Sequence, residues 1–215
     1  MRCKIPINPS LFGDFNRGKR LKIATIYFWL RSMSMFDGKE EFVDFPVGRP
    51  YSVRFISEKF GYGRNQVSSM MDTLVRNGLI VIDNDSKRYI CRTDFNNGEW
   101  IFLDQRILTF FIDTYQNSDI ILVLGYLKAK YSIYGSRYKF TFQDINNYLG
   151  YQAITKSTTG EECIDTLVEE GYIRYNTCNG DSTAFLYQQY KQLVYVRDLE
   201  NVSDLFSEDG VYGVF

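Results

Sequence analysis

The sequence contains no histidine. That removes the commonest general base at neutral pH and the commonest metal ligand. Cysteine is scarce. Only Cys3, Cys91, Cys163 and Cys178 occur, and no two share the spacing of a zinc knuckle or a redox pair, so they read as free, partly buried thiols. Long apolar runs are missing as well: no stretch reaches the ~18 residues of a membrane span. The first residues, Met1-Arg2-Cys3-Lys4-Ile5-Pro6, lack the apolar core of a signal peptide. The expected location is cytoplasmic. There is no Walker loop, dinucleotide fingerprint or nucleophile elbow. Gly61-Tyr62-Gly63 superficially suggests a phosphate loop but lacks the partner glycine, lysine and serine. No catalytic group, metal or cofactor is expected, and the chain is not read as an enzyme.

What is present is apolar and aromatic content sufficient for a packed core: 45% hydrophobic and 17% aromatic over 215 residues. Disorder is therefore not expected outside the tail. The net charge of −1 conceals an asymmetry. Residues 1–96 hold 16 of the 25 bases and 10 of the 26 acids, giving +6; residues 97–215 hold the other 9 and 16, giving −7. Such a split points to different partners for the two halves. The basic half suits nucleic acid.

The chain also repeats itself. Asp72-Thr73-Leu74-Val75 recurs as Asp165-Thr166-Leu167-Val168, each followed by a glycine and an isoleucine at the same distance, Gly78 and Ile80 against Gly171 and Ile173. Phe60-Gly61-Tyr62 is echoed by Leu149-Gly150-Tyr151. Further back, Ile5, Ile7, Leu11 and Phe12 are echoed by Ile101, Leu103, Ile107 and Leu108. Two copies make a pseudo-dimer of units of roughly 100 residues. The expected fold is α+β, with two tandem domains, 1–96 and 97–215, joined by a linker at 94–99.

Periodicity gives the elements of each unit. The first is read as a strand at 4–7, a short helix at 11–15 and a long helix at 20–35. Ile23, Ile26, Tyr27, Leu30 and Met33 recur there at helical spacing, and the aromatic run Tyr27-Phe28-Trp29 reads as core. A strand at 42–45, helices at 54–60 and 64–77, and a hairpin of 79–83 with 88–92 follow. In the second of those helices Val67, Met70, Met71 and Leu74 make one buried face. The second unit is read as a strand at 100–103, helices at 105–115, 119–131, 142–149 and 159–170, and a hairpin of 172–176 with 184–187. Asn179-Gly180 gives a tight-turn signal, Thr159 and Glu162 a possible capping box, and the chain beyond 188 reads as partly helical.

Residues 56–80 resemble the winged helix-turn-helix superfamily. Ile56 and Ser57 precede Gly61 by five and four residues; Val67 follows it by six, Leu74 follows Val67 by seven, and Gly78 follows Leu74 by four. The tandem arrangement resembles plasmid and bacteriophage replication initiators, and the strand-then-helix lead-in resembles phage replisome-organiser proteins. The resemblance implies origin binding by one unit and partner recruitment by the other.

In such folds the start of the second helix can face base edges in the major groove. Here it carries Arg64, Asn65, Gln66, Ser68 and Ser69. Arg suits guanine O6/N7, Asn or Gln suits adenine N6/N7, and the serines suit phosphates or bases. Lys87 and Arg88, with Arg92 beyond them, would serve the backbone from the wing. Arg17, Lys19, Arg20 and Lys22 form a further basic cluster. A solvated charged face is the competing reading. The second unit departs from this pattern. Gly160 stands where Val67 is expected, and Glu161, Glu162, Asp165, Glu169 and Glu170 have no base among them. A duplex would repel that helix. This unit is expected to support the first unit, self-associate or dock a protein, with Leu199, Val202, Leu205 and Phe206 as a partner stripe or as packing on its own domain.

The expected function is sequence-specific binding of double-stranded DNA in a mobile element, as a replication initiator or a transcription regulator, with the N-terminal unit reading. The alternative is a protein-binding module, such as a phage-encoded inhibitor or adaptor acting on a host protein.

Overall fold

Two strands that open the two halves of the chain meet as neighbours. In the computed structural model, which describes residues 2–13, 17–36, 38–44, 53–83, 85, 88–92, 100–151, 158–179 and 189–197, β1 (Arg2–Pro6) pairs antiparallel with β6 (Trp100–Asp104). Ile5 lies opposite Ile101, its own counterpart in the repeat, and Cys3 opposite Leu103. Alternation turns Cys3 and Ile5 inward. After β1, Asn8 caps a 3-10 turn at Pro9–Phe12 by accepting from the Ser10 amide at 3.0 Å.

Helix α1 (Arg17–Ser32) runs through the centre. Ile23, Ile26, Tyr27 and Leu30 are fully buried; Met33 lies past the helix end and is exposed. The aromatic run is core: Phe12, Tyr27 and Phe28 meet edge-on at 5.5–5.6 Å, and Trp29 meets Phe60 at 5.5 Å. The first half continues with β2 (Met35–Phe36), β3 (Glu41–Asp44), α2 (Val53–Phe60), α3 (Arg64–Arg76), β4 (Ile80–Asp83) and β5 (Arg88–Cys91), the strands ordered β2-β3-β5-β4. Val67, Met70, Met71 and Leu74 form the buried face of α3, as their spacing requires.

The second half has α4 (Gln105–Tyr115), α5 (Ser118–Tyr134), β7 (Lys139–Phe140), α6 (Phe142–Tyr148), α7 (Thr159–Glu169), β8 (Ile173–Asn179) and β9 (Gln189–Val196), its sheet ordered β7-β9-β8. The architecture is mixed α+β. One hydrophobic cluster runs through both halves. At its centre α5 backs onto the β1–β6 pair, so closely that a Cβ on Gly125 would collide with Ile7 Cγ2.

Helices α3 and α7 end in the same way. Gly78 (φ 65°) and Gly171 (φ 69°) take the left-handed conformation open to glycine. Their amides donate to Val75 O and Val168 O at 2.9 and 3.0 Å, and the next amides, Leu79 and Tyr172, to Leu74 O and Leu167 O at 2.9 and 2.8 Å. The carbonyls of Leu79 and Tyr172 then accept from Arg92 and Arg197 at 3.0 and 2.9 Å. The repeated phrase is thus a repeated helix stop that feeds a strand.

Three expectations for the second half are corrected. Residues 189–196, expected in a partly helical remainder, form strand β9, in which Leu193 and Val196 are buried. Strand β8, expected to end at 176, runs on to Asn179, which pairs with Gln189. Thr158, not Thr159, is the N-cap of α7, with its hydroxyl on Glu162 Oε1 at 2.6 Å. Thr159 is buried inside the first turn. The capping box belongs to α6, where Thr141 Oγ1 accepts from the Asp144 amide at 3.1 Å and the Thr141 amide donates to Asp144 Oδ2 at 2.7 Å. The 94–99 linker, residues 184–187 and the 199–206 stripe, with Leu199, Val202, Leu205 and Phe206, lie outside the described residues.

Candidate nucleic-acid interface

Helix α3 is aimed by the turn before it. Gly61 takes φ 67°, Ser57 Oγ donates to Tyr62 O at 2.5 Å, and Gly63 caps the helix without a side chain. The first-turn amides are therefore not used by a side-chain cap, and no acid stands among them. That end of the helix favours an anion. Burying Val67, Met70, Met71, Thr73 and Leu74 leaves the opposite face of α3 outward. Arg64, Asn65, Gln66, Ser68 and Ser69 are all exposed.

The start of α1 lies against this face. Gly18, Lys19 and Lys22 of α1 and Gln66 and Ser69 of α3 line one open cleft of about 470 Å³. Lys22 Nζ sits 4.9 Å over the ring of Tyr62, which stacks on Phe60 at 5.6 Å. Sequence reasoning did not single out Tyr62; nothing in a lone tyrosine after a turn glycine signals its place under a lysine.

The rest of the expected basic set is dispersed. Arg20 is a correction. It is 6% exposed, and its guanidinium donates to Asp119 Oδ1 at 3.2 Å, to the Tyr151 hydroxyl at 2.6 Å and to the Leu149 carbonyl. A helix turns about 100° per residue, so its half-buried neighbours Lys19 and Lys22 line the cleft while Arg20 falls on the inward side and brings its charge with it. Arg88 is held on its own sheet, with Nε 3.8 Å from Asp83 Oδ2 and its guanidinium 4.4 Å over Phe42. Arg92 is half-buried, its carbonyl taken by Arg31 at 3.3 Å. Lys87 and the side chain of Arg17 lie outside the described residues.

Helix α7 presents a different surface. Glu161, Glu162, Asp165 and Glu169 are exposed. Gly160, the departure from the repeat, has a packing cause: α7 crosses α6 there. A Cβ would meet Asn146 Oδ1 and Phe142 O at 2.9 Å, and the Gly160 amide donates to that same Asn146 oxygen at 2.9 Å.

Cys3, Cys91 and Cys163 are buried and Cys178 half-buried. Burial, with the Glu41 carboxylate adding to it, pushes the Cys3 thiol up to about 12, and burial pushes Cys91 up to about 11. Among the described residues no cluster of acids and cysteines is arranged to hold a metal ion, and no helix is long and apolar enough to cross a membrane. No protein-family model, curated protein or solved structure matches the chain.

Proposed function

We propose that the chain is a tandem winged-helix protein that binds double-stranded DNA by sequence, with α3 as the reading helix, acting in a mobile element as a replication initiator or a transcription regulator. The observation that carries this reading is the outward face of α3. Its first turns expose a guanidinium, two carboxamides and two hydroxyls together, the groups that match base edges and phosphates in the major groove. Lys19 and Lys22 stand across the shared cleft from Gln66 and Ser69, where they would meet the flanking phosphates. The matched ends of α3 and α7 support two units of one design. In this reading β4 and β5 form the first wing.

The test is the triple variant Arg64→Ala, Asn65→Ala, Gln66→Ala. All three side chains are exposed, so the fold persists. Each lost bidentate contact removes about 1–3 kcal/mol of base discrimination. Selective duplex binding should disappear; retained selectivity would mean another element reads.

A second reading, a protein-binding module such as a phage-encoded inhibitor or adaptor, draws on α7. Its outer face exposes Glu161, Glu162, Asp165 and Glu169, and its Val168 joins Arg174, Tyr175, Val194 and Tyr195 in lining a cleft of about 720 Å³. It predicts a host-protein complex that survives nuclease and no affinity for any duplex.

A further inference from the structure

The acidic balance of residues 97–215 hides a basic stretch. Between Asp119 and Asp144 the chain has no acid and four bases, Lys128, Lys130, Arg137 and Lys139. The same stretch holds six aromatic residues, Tyr126, Tyr131, Tyr134, Tyr138, Phe140 and Phe142. Tyr134, Tyr138 and Phe140 of this stretch meet at the C-terminal end of α5 and the strand that follows it.

Gly135, at φ 58°, ends α5 and turns the chain back. Three rings then stack in sequence. Tyr134 lies on Tyr138 with centroids 5.9 Å apart and planes at 18°, and Tyr138 lies on Phe140 at 6.0 Å and 17°. Both are offset parallel stacks, the geometry that ring quadrupoles favour. Phe140 is fully buried, while Tyr134 is 48% exposed and the adjacent Ile133 68% exposed. The ladder therefore runs from the core to the surface.

It is also rigidly held. The Leu193 amide donates to Tyr138 O at 2.9 Å, Gln192 Nε2 to Ser136 O at 2.9 Å, and the Tyr131 hydroxyl to Val194 O at 3.3 Å. The hydroxyls of Tyr126 and Tyr138 meet at 3.0 Å. Arg137 and Lys139 stand on either side of Tyr138 in the chain and are exposed. Asp144, which closes the acid-free stretch, is occupied in the cap of α6. Tyr175 meets the buried end of the ladder, edge-on to Phe140 at 6.2 Å, and burial, with Asp165 and Glu161 of α7 adding to it, raises its hydroxyl pKa.

We propose that this surface binds single-stranded nucleic acid, with a base stacking on Tyr134 and backbone phosphates on Arg137 and Lys139. An exposed ring backed by a stack, with exposed cations close by in the chain, is the combination that holds unpaired bases without regard to sequence. A duplex keeps its base faces stacked and offers this ring nothing but its ends. The site is separate from α3, so the chain would hold a duplex with one half and an opened strand with the other.

The experiment is fluorescence anisotropy of the full chain with a labelled mixed-sequence oligodeoxynucleotide of about 16 nucleotides, its RNA counterpart and the matching blunt duplex. The unpaired DNA should bind, with affinity falling as salt rises. Tyr134→Ala should weaken it by about 5- to 100-fold, and Arg137→Glu with Lys139→Glu should weaken it and flatten the salt dependence. Tyr134→Trp should keep the affinity, and its added fluorescence should be quenched on binding. That quenching is a signature a merely structural tyrosine would not give. Equal binding of the RNA assigns the site to unpaired strands in general, and weaker RNA binding assigns it to DNA; both support the proposal. Absence of single-strand binding overturns it. So does unchanged affinity in both the Tyr134→Ala and the charge-reversed variants, or equal competition by the duplex. The triple variant at Arg64, Asn65 and Gln66 should leave single-strand affinity intact, so failure here is distinct from failure of duplex reading.

Discussion

Arg20 and its neighbours give opposite expectations from one short basic stretch. Arg20→Ala strands the Asp119 carboxylate, whose side chain is 1% exposed, with the Tyr151 hydroxyl still donating to it. Removing one partner of a buried ion pair costs about 3–5 kcal/mol, because the other charge stays buried without its counterion. In a chain of this size each kcal/mol moves the melting temperature by about 2–4 °C, so the Tm should fall by about 6–20 °C. Arg20→Met combined with Asp119→Leu removes both charges and should recover most of that loss. Lys19→Ala and Lys22→Ala should each stay within about 0.5 kcal/mol of the parent. Their effect should fall on DNA, lowering the slope of log affinity against log salt by about 0.9 each. Thermal melts and a salt titration of duplex binding measure the two effects separately. If Arg20→Ala melted within about 2 °C of the parent and lowered the salt slope as the lysines do, the assignment of Arg20 to the interior would be refuted.

Gly160→Ala sets two effects against each other: alanine's helix preference is worth about 1 kcal/mol, while a methyl 2.9 Å from the Phe142 carbonyl and Asn146 Oδ1 overpacks the α6–α7 contact at about 1–3 kcal/mol. The clash should win, and urea denaturation should show a net loss. The buried thiols predict an alkaline limit. Cys3 and Cys91 are raised from 9.0 to about 12 and about 11, so the folded state holds their protons more tightly than the unfolded chain does. Their contribution is complete below pH 9 and is lost as pH rises through about 11 to 12; denaturation midpoints against pH check this. Alkylation at mild alkaline pH should label half-buried Cys178 before Cys3 or Cys91, and equal rates would contradict the burial.

The helices were legible because their apolar spacing is local. Val67, Met70, Met71 and Leu74 announce the buried face of α3 in the sequence itself, and with it the outward face of Arg64, Asn65 and Gln66. The repeated glycines at 78 and 171 announce two matching helix stops. Long-range pairing was not legible. Nothing near Arg20 indicates that Asp119 and Tyr151 will enclose it. Gly160 departs from its repeat for a contact with α6 that sequence spacing does not show. Strand β9 had a usable signal: Leu193-Val194-Tyr195-Val196 is rich in β-formers, yet the polar residues before it obscured the pattern. The aromatic ladder had one too. Counting charge over residues 97–215 averaged away an acid-free stretch that a shorter window would have exposed.

Selection from a random duplex library at moderate salt, run in parallel on the full chain and on the Arg64→Ala, Asn65→Ala, Gln66→Ala variant, tests the central claim most directly. The parent chain should yield an enriched motif, without a symmetric second half because α7 presents acids, and the variant should yield none. The same motif emerging from both proteins, or none from the parent, would contradict α3 as the reader of DNA.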